Sequence, residues 1–291
     1  MRIWDPSEST VEQAPNSLEV AHDQPGLMSY PHWHAQVEVN FVMRGAVSYR
    51  MFEHTLLLEQ GSLALFWGGL PHQVVDASAD SEFVAIHLPL VHFFRLRLPD
   101  LIRHRIMHGA TLVTSVSDSG DFCSFDRWCT YMRSGVSAKV DHAIDDLLLR
   151  IERIPFEPFD LLDSSGDPRP SARHSSQLPF ARVRHIVDFI ADNFQQDIDS
   201  LAIALSAGIH PKYAMGLFRK STGMTLNEYV TLLRLSFAQA QLINGDGNVL
   251  SVAMESGFRS LSAFNKSFRK ISGKSPSDFR RVYRSLHRLP H

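Results

Sequence analysis

The sequence predicts a two-domain protein: a small β-barrel with helices after it, then an all-α domain of two helix-turn-helix units joined by a long helix. Three observations predict this architecture. Short apolar runs separated by glycines fill residues 30–90, residues 164–177 are rich in Ser, Pro and Gly, and one short helical pattern occurs twice after residue 179. A chain of 291 residues is long enough to bury a core in each domain.

The first domain is predicted to consist of strands and tight turns. Residues 1–27 are polar and acidic, and they are expected to form an N-terminal arm. The pattern after them is typical of a small barrel or sandwich, which we place at residues 28–110. Its apolar runs are VEVNFVM (37–43), VSYRMF (47–52), SLALFW (62–67) and EFVAIHL (82–88).

Helical periodicity replaces the strand pattern in residues 111–163. There, Ile144, Leu147, Leu148 and Ile151 recur at the spacing of one helix face. Such a stripe suits two arrangements equally: a dimer interface carried by Ile144, Leu148 and Ile151, or packing within the domain. Residues 164–179 are expected to form a linker, and residues 180–291 form the second domain.

Composition and cysteine content favour a protein of the cytoplasm. Hydrophobic residues make up 44% of the chain and charged residues 21%, which is ordinary for a globular protein. There is no run of about 18 apolar residues and no apolar signal-peptide core, so neither a membrane span nor secretion is expected. The two cysteines, Cys123 and Cys129, fit a reducing compartment and are expected to be buried structural thiols.

Charge is divided unevenly between the two predicted domains. Residues 180–291 contain 15 Lys and Arg against 8 Asp and Glu, whereas the preceding residues contain 14 basic and 23 acidic side chains. A positively charged domain suits binding to the phosphates of a nucleic acid.

A duplication is the most specific feature of the second domain. FRKSTG at 218–223 returns as FRKISG at 268–273, an offset of 50 residues. Upstream, Ala204 and Ala253 correspond at an offset of 49, so the second copy is expected to have one extra residue in its turn. Repeated small helical units suit a partner that itself repeats, and duplex DNA is such a partner.

Each copy has the signals of a helix-turn-helix unit. In the first, a short helix ends before Gly208, His210 is a candidate cap, and Pro211 stands at the first position of the next helix. In the second, Phe264, Phe268 and Ile271 are expected to face the core. The outward residues, predicted to bind DNA, are Lys212, Tyr213, Met215, Arg219 and Lys220 in the first copy and Arg259, Ser260, Ser262, Asn265, Lys266, Arg269 and Lys270 in the second.

The segment between the copies is predicted to be a long helix. Thr225 and Glu228 form a capping-box pattern, and the helix they open extends to about Ile243. At 1.5 Å per residue its length is roughly 28 Å. Such a helix could hold the two outward-facing helices close to one turn of duplex, about 34 Å, apart.

Residues 180–285 resemble the AraC/XylS transcription regulators. This resemblance implies DNA binding by two helix-turn-helix units, and it further implies a homodimer, a small-molecule effector, RNA polymerase as a partner, and a bacterial cytoplasm with association to the nucleoid. Gly216 departs from a strong helix pattern because glycine weakens a helix by up to about 1 kcal/mol relative to alanine. The matching positions are Ala204, Phe218, Gly223, Arg234, Ala238, Leu242, Ala253, Gly257, Phe258, Phe264, Phe268, Gly273 and Pro276.

A polar strand face marks the candidate site of the first domain. His32, His34 and Glu38 have the same parity as Gln36 and Asn40, so on one strand they project to one side. The spacing from His32 to Gly45 resembles the first motif of the cupins, and Gly61 with Pro71 and His72 resembles the second. We expect a cupin-like barrel that binds a small effector through His32, His34, Gln36, Glu38, Asn40, Trp67 and His72.

In metal-binding cupins the corresponding four residues, His32, His34, Glu38 and His72, would be ligands. Hydrogen bonding to an organic effector is the favoured interpretation, however, and no metal or other cofactor is predicted. Trp33 and Trp67 are candidates for stacking on a sugar ring.

Four segments resemble the melibiose-operon regulator branch of the family. The resemblance implies an activator with a saccharide effector, for which an α-galactoside is one candidate. No nucleophile elbow or phosphate-binding loop occurs, so an enzyme is not expected. Two alternatives remain open: a metal-dependent cupin enzyme with an appended DNA-binding domain, and a structural DNA binder without an effector. The four segments are WHAQVEVNFVMRGAVSYR (33–50), LFWGGLPHQ (65–73), YAMGLF (213–218) and GFRSLSAF (257–264).

Overall fold

The computed structural model describes residues 17–28, 31–32, 34–51, 54–114, 120–162 and 177–286. The chain divides into two compact units. One contains the chain up to Pro89 and from Leu96 to Ser175, and the other contains helix α1 (Leu90–Arg95) and the chain from Ser176 onward. The predicted linker lies almost wholly outside the described residues.

Two antiparallel sheets form the first unit. The larger sheet has the strand order β1-β7-β2-β5-β8-β9 and the smaller has the order β4-β3-β6. This two-layer arrangement confirms the predicted strand-rich domain. The strands are β1 (Glu19–Asp23), β2 (Val37–Arg44), β3 (Ala46–Met51), β4 (His54–Glu59), β5 (Leu63–Trp67), β6 (His72–Ala77), β7 (Glu82–Leu88), β8 (Thr111–Thr114) and β9 (Phe159–Leu162).

The alternation of β2 separates its two faces as predicted. Val42 packs between the sheets with Phe66 of the large sheet and Val74 of the small one. Phe41 points to the other face, where its ring stacks on Phe125 at a centroid distance of 4.4 Å. The strand is buried on both faces, and its polar residues Glu38 and Asn40 are buried with the apolar ones.

Helices cover the outer side of the first unit. They are α2 (Asp100–Met107), α3 (Asp121–Met132) and α4 (Ser137–Arg153), followed by a short 3-10 helix at Ile154–Phe156. A buried ion pair links α3 to α4, because Arg150 Nε and Nη2 donate to the Asp121 carboxylate at 2.7 and 2.8 Å. Bidentate geometry of this kind fixes both side chains as well as pairing their charges.

The apolar stripe of α4 is part of the domain core. Ile144, Leu148 and Ile151 are all buried within a single copy of the chain, and Leu148 is only 6% exposed. The interpretation of this stripe as a dimer interface is therefore wrong, and packing within the domain is the correct alternative. The physical reason is that α4 has one apolar face, and this face is already buried within the unit, where α4 packs against α3.

Three further expectations for the first unit need correction. The predicted arm contains β1, which pairs with β7 along its whole length, and its short polar sequence gave little strand signal. The predicted helical segment 111–163 begins with β8 and ends with β9, which extend the large sheet. Cys123 is exposed, whereas Cys129 is buried as expected, and burial raises the pKa of its thiol to about 11.

Helices alone form the second unit. The first helix-turn-helix has a four-residue turn, from 207 to 210, and the second has a five-residue turn, from 256 to 260, so the extra residue is confirmed. Among the described residues, no helix is both long and apolar enough to span a membrane. The helices are α5 (Gln177–Asn193), α6 (Ser200–Ser206), α7 (Pro211–Thr222), α8 (Leu226–Asn244), α9 (Val249–Glu255), α10 (Leu261–Ser272) and α11 (Pro276–Leu286).

The helix ends follow the sequence signals closely. His210 accepts the Lys212 amide and caps α7, and Thr225 with Glu228 forms a complete capping box at α8. Helices α7 and α10, the second helices of the two units, each end at a glycine with left-handed geometry: Gly223 at φ 65° and Gly273 at φ 68°. Local chemistry therefore fixes the start and stop of the helices that matter most for function.

Candidate functional site

A buried carboxylate is the centre of the polar site in the first unit. Glu38 Oε1 lies 2.6 Å from His34 Nε2 and 2.7 Å from His72 Nε2. His87 Nε2 is 3.5 Å and His32 Nε2 is 3.9 Å from the same oxygen. We refer to Glu38 and these four histidines as the Glu38 cluster.

Strand pairing brings the Glu38 cluster together. His87 on β7 lies directly opposite Glu38 on β2, and residues so paired point to the same face. His32 and His72 form an isolated antiparallel bridge, which places His72 of the small sheet against Glu38 of the large one. The cluster therefore lies between the two sheets.

Close packing holds one of these rings in place. A Cβ atom added to Gly68 would collide with the ring of His34, so a residue without a side chain is needed there. The same ring stacks on His87 at a centroid distance of 4.3 Å. His34, Glu38 and His72 are almost fully buried, whereas His32 and His87 retain 15% and 20% of their side-chain exposure. The cluster is therefore closed on one side and open on the other.

Two further side chains fix the second carboxylate oxygen. Asn40 Nδ2 donates to Glu38 Oε2 at 2.8 Å and to the Tyr49 hydroxyl oxygen at 3.0 Å. Burial, together with the charge of Glu38, raises the pKa of Tyr49 well above its usual value, so this hydroxyl stays protonated. The sequence had indicated Asn40 but not Tyr49.

The environment separates the charge states within the cluster. Burial lowers the pKa of His34 to about 4 and that of His32 well below its usual value. Burial alone would raise the pKa of Glu38, but His72 and the hydrogen bonds from His34 and His72 outweigh it and lower that pKa well below its usual value. At neutral pH, Glu38 is thus an anion, and His32 and His34 are neutral.

One residue expected at this site, Trp67, lies elsewhere. Trp67 is paired with Val37 and therefore points to the opposite face of the sheet, where it is buried and donates its indole N–H to the Ala35 carbonyl. Gln36 is buried, and its Nε2 donates to the carbonyl oxygen of Ser17 at 3.4 Å. Stacking of Trp67 on a molecule at Glu38 is therefore excluded, and Trp33 lies outside the described residues.

The predicted outer face of α7 is exposed. Its core side is formed by Ala214 and Phe218, both fully buried, so the remaining face is turned to solvent. Gly216 lies within this face, and a Cβ atom added there would meet nothing within 4 Å. The guanidinium of Arg182 lies 5.7 Å from the centre of the Tyr213 ring. The exposed residues are Lys212, Tyr213, Met215, Gly216, Arg219 and Lys220.

The equivalent face of α10 is also exposed, with one correction. Phe264 and Phe268 are buried as expected, but Ile271 is 39% exposed and does not face the core. The helix ends one residue later, and Phe279 of α11 fills the space beside Phe268 at a ring distance of 5.3 Å. Ser260 caps α10 by accepting the Ala263 amide. The exposed residues are Arg259, Ser260, Ser262, Asn265, Lys266, Arg269 and Lys270.

Arg259, a predicted base-reading residue, has an ionic partner in the structure. Its Nε donates to Asp197 Oδ1 at 2.8 Å, and the two side chains remain 74% and 66% exposed. Arg234 donates to the carbonyls of Phe194 and Gln196 in the same loop. The loop 194–197 between α5 and α6 therefore contacts both the long helix and the second helix-turn-helix.

The turn glycines of the two units differ in their surroundings. Gly208 and Gly257 both have positive φ, 63° and 84°. A Cβ atom on Gly208 would meet nothing within 4 Å, whereas one on Gly257 would lie 2.8 Å from the carbonyl oxygens of Phe194 and Gln195. The second turn therefore needs glycine for both its conformation and its space.

Comparisons with known proteins agree with this geometry. A family model described as a helix-turn-helix domain matches residues 203–282, which include both units and the helix between them. The melibiose operon regulatory protein of Escherichia coli K12 is 29% identical over 269 residues, which cover 91% of this chain and 88% of that protein. The chain is an AraC-type transcription regulator.

Other similar proteins cover less of the regulator or differ more in sequence. The lactose operon transcription activator of Staphylococcus xylosus is 31% identical over 98 residues, covering 34% of this chain and 35% of that protein. The crystal structure of ToxT from Vibrio cholerae covers 92% of this chain and 98% of its own, at 12% identity and a TM-score of 0.37.

The regulator contains three site residues that the sequence did not reveal. His87 is a single histidine in an apolar strand, Tyr49 is an aromatic residue in an ordinary strand run, and Asp197 is an acidic residue of a loop. Only pairing between distant strands, or contact between a loop and a turn, gives these residues a role. The one available signal was His87, since a polar side chain inside an apolar strand run is unusual.

Proposed function

We propose that this regulator activates transcription when a small saccharide binds between the two sheets of its N-terminal unit. The observation that carries the proposal is the similarity to the melibiose operon regulatory protein, which extends over nearly the whole of both chains. The similarity to a lactose operon transcription activator gives further support for a sugar effector. An α-galactoside is the first candidate.

The chemistry of the Glu38 cluster suits a polar ligand rich in hydroxyl groups. An anionic carboxylate accepts hydrogen bonds, and neutral imidazoles can donate or accept them. His32 and His87 stand at the open side, where a ligand would first meet the protein. Control of transcription requires that this ligand bind one state of the regulator more tightly than another, because uniform binding shifts no equilibrium.

In the proposed complex, α7 and α10 enter the major groove of double-stranded DNA. Helix α8 has 19 residues, a length of roughly 28 Å, which is comparable with the 34 Å of one duplex turn. Asn265 and Arg259 are proposed to contact base edges, and Lys270 to contact phosphate. We also propose a homodimer and a contact with RNA polymerase, with surfaces other than the buried stripe of α4.

The DNA assignment is tested by substitutions on α10 of the full chain. Asn265→Ala should cost about 1–3 kcal/mol at particular base pairs, whereas Lys270→Ala should weaken binding to all duplexes and reduce the salt slope by about one. Fluorescence anisotropy against an operator and a scrambled duplex measures both. Equal losses on the two duplexes for both variants would refute the division into base and phosphate contacts.

The effector assignment is tested by genomic footprinting with and without a panel of mono- and disaccharides. We expect a saccharide to change occupancy at a small set of promoters, and Glu38→Gln to abolish the change. Glu59→Gln, the same substitution at the exposed end of β4, is the matched control and should retain it. A response that survives Glu38→Gln, or its absence with every saccharide, would reject this site or this ligand class.

We propose that the protein is not an enzyme. The rival, a metal-dependent cupin enzyme, requires that a bound saccharide be converted. Incubating the full chain with the saccharide that alters its footprint, followed by NMR of the solution, should show the ligand unchanged. A new product in stoichiometric excess over protein would establish the rival.

A further inference from the structure

The Glu38 cluster brings four imidazoles and one carboxylate together, which is a set of groups that could bind a metal ion. One ligand atom from each of His32, His34, Glu38 and His72 lies within 4.8 Å of all the others. His87 Nε2 is 3.5 Å from the Glu38 oxygen. Nitrogen-rich sets with one carboxylate suit zinc, iron, manganese and related transition metals better than calcium or magnesium.

The two ring nitrogens of His72 have different partners. Its Nδ1 lies 2.8 Å from the Leu70 carbonyl oxygen, which can only accept, so Nδ1 carries a proton. The other ring nitrogen, Nε2, is therefore the one turned toward Glu38, and it lies 2.7 Å from Oε1.

The groups around these ligands are those that a metal site requires. A histidine that binds a metal through Nε2 usually donates its Nδ1–H to a carbonyl or carboxylate, as His72 does to Leu70. Ligating carboxylates are themselves hydrogen-bonded, as Glu38 Oε2 is by Asn40. Both outer contacts are in place around ligands that are almost fully buried.

We propose that the Glu38 cluster binds one divalent transition-metal ion through His34, Glu38 and His72, with His32 and His87 on its open side. This proposal reverses the sequence-based expectation that the barrel holds no metal. It does not depend on a saccharide effector. His72 and Glu38 would each supply one ligand atom to the ion, and its open side could accept an oxygen atom of an effector.

The test begins with full-length protein purified without chelator. Elemental analysis should find about one transition-metal ion per chain. After removal of that ion, titration with Co²⁺ should give visible d–d absorption that saturates at one equivalent, together with a higher Tm. Glu38→Gln should abolish the absorption, and Glu59→Gln should leave it intact.

Milder variants guard against loss of folding. His87→Ala, on the open side, should weaken Co²⁺ binding while the circular dichroism spectrum is retained, and His142→Ala, at an exposed position of α4, is its matched control. Asn40→Ala should lower the affinity by about 10–100-fold, the usual effect of losing an outer-shell partner.

Two results would overturn the proposal. Folded protein that takes up no Co²⁺ at one equivalent would show that hydrogen bonds within the protein hold the cluster together without a metal ion. Uptake unchanged in Glu38→Gln and His87→Ala would place the ion elsewhere. Neither result bears on the saccharide footprint, and a missing footprint response would leave the metal titration unaffected, so the two proposals can fail separately.

Discussion

Removing Asp197 should increase the affinity of the regulator for any duplex. The Asp197 carboxylate holds Arg259 on the face proposed to meet DNA, so binding through Arg259 must first break this pair. Both side chains are largely exposed, and exposed ion pairs of this kind are worth about 0.2–1 kcal/mol. At 1.4 kcal/mol per tenfold change, Asp197→Ala should therefore tighten non-specific binding by about 1.4- to 5-fold.

Fluorescence anisotropy with a scrambled duplex at several salt concentrations measures this change. The gain should disappear in the double variant Asp197→Ala, Arg259→Ala, because the two residues act on one contact. Glu255→Gln, which removes one charge from the exposed end of α9, is the control for the general effect of charge. If Asp197→Ala weakens binding instead, the pair positions Arg259 for DNA and does not compete with it.

Three other predictions concern stability. Leu148→Glu should unfold the N-terminal unit rather than dissociate a dimer, and the free energy of unfolding should fall by more than about 4 kcal/mol. Its control, Leu149→Glu at a position that is 56% exposed, should change that free energy by less than about 0.5 kcal/mol, and urea unfolding with light scattering separates the outcomes. Gly216→Ala should stabilise the C-terminal unit by up to about 1 kcal/mol because its Cβ meets open space, whereas Gly223→Ala should destabilise it because φ there is 65°; thermal melts that rank the two alike would contradict this. Hydrogen bonds from the Thr225 backbone and hydroxyl lower the pKa of Glu228 in the folded protein, so its stabilising effect should be present above about pH 4.5 and lost as the pH falls through that lowered pKa. In acid unfolding experiments, Glu228→Gln should lack this pH-dependent loss of stability.

The helical unit was predictable because its signals are local. Caps, turn glycines and inward aromatics recur within a few residues of each other in both copies, and the structure confirms the caps predicted at His210 and Thr225. The last residue of each repeated motif, Gly223 or Gly273, ends its helix. The prediction that Ile271 faces the core was wrong because helical periodicity does not show where the elements that cover a helix end. Which side chain lies across from a helix terminus depends on packing between distant segments, and no local pattern contains that information.

The barrel site was only half predictable for a related reason. Strand parity placed Glu38 and Asn40 on the inner face, because the alternation of a single strand is a local property. His87 and Trp67 depend on pairing between strands separated by many residues. Pairing turns His87 toward Glu38 and Trp67 away from it, and a sequence read one strand at a time gives neither result.

The crowding at Gly257 makes the two recognition units unequal as targets for engineering. The loop 194–197 packs against the second turn and leaves no space for a side chain at Gly257, whereas a side chain at Gly208 in the first turn would meet nothing within 4 Å. Libraries that vary the first turn can sample residues that tolerate positive φ, such as Asn. At Gly257 the same residues would clash with the loop 194–197 and displace the second unit from it. If α7 and α10 contact DNA as proposed, altered operator preference should therefore be easier to obtain by varying the first helix-turn-helix unit than the second.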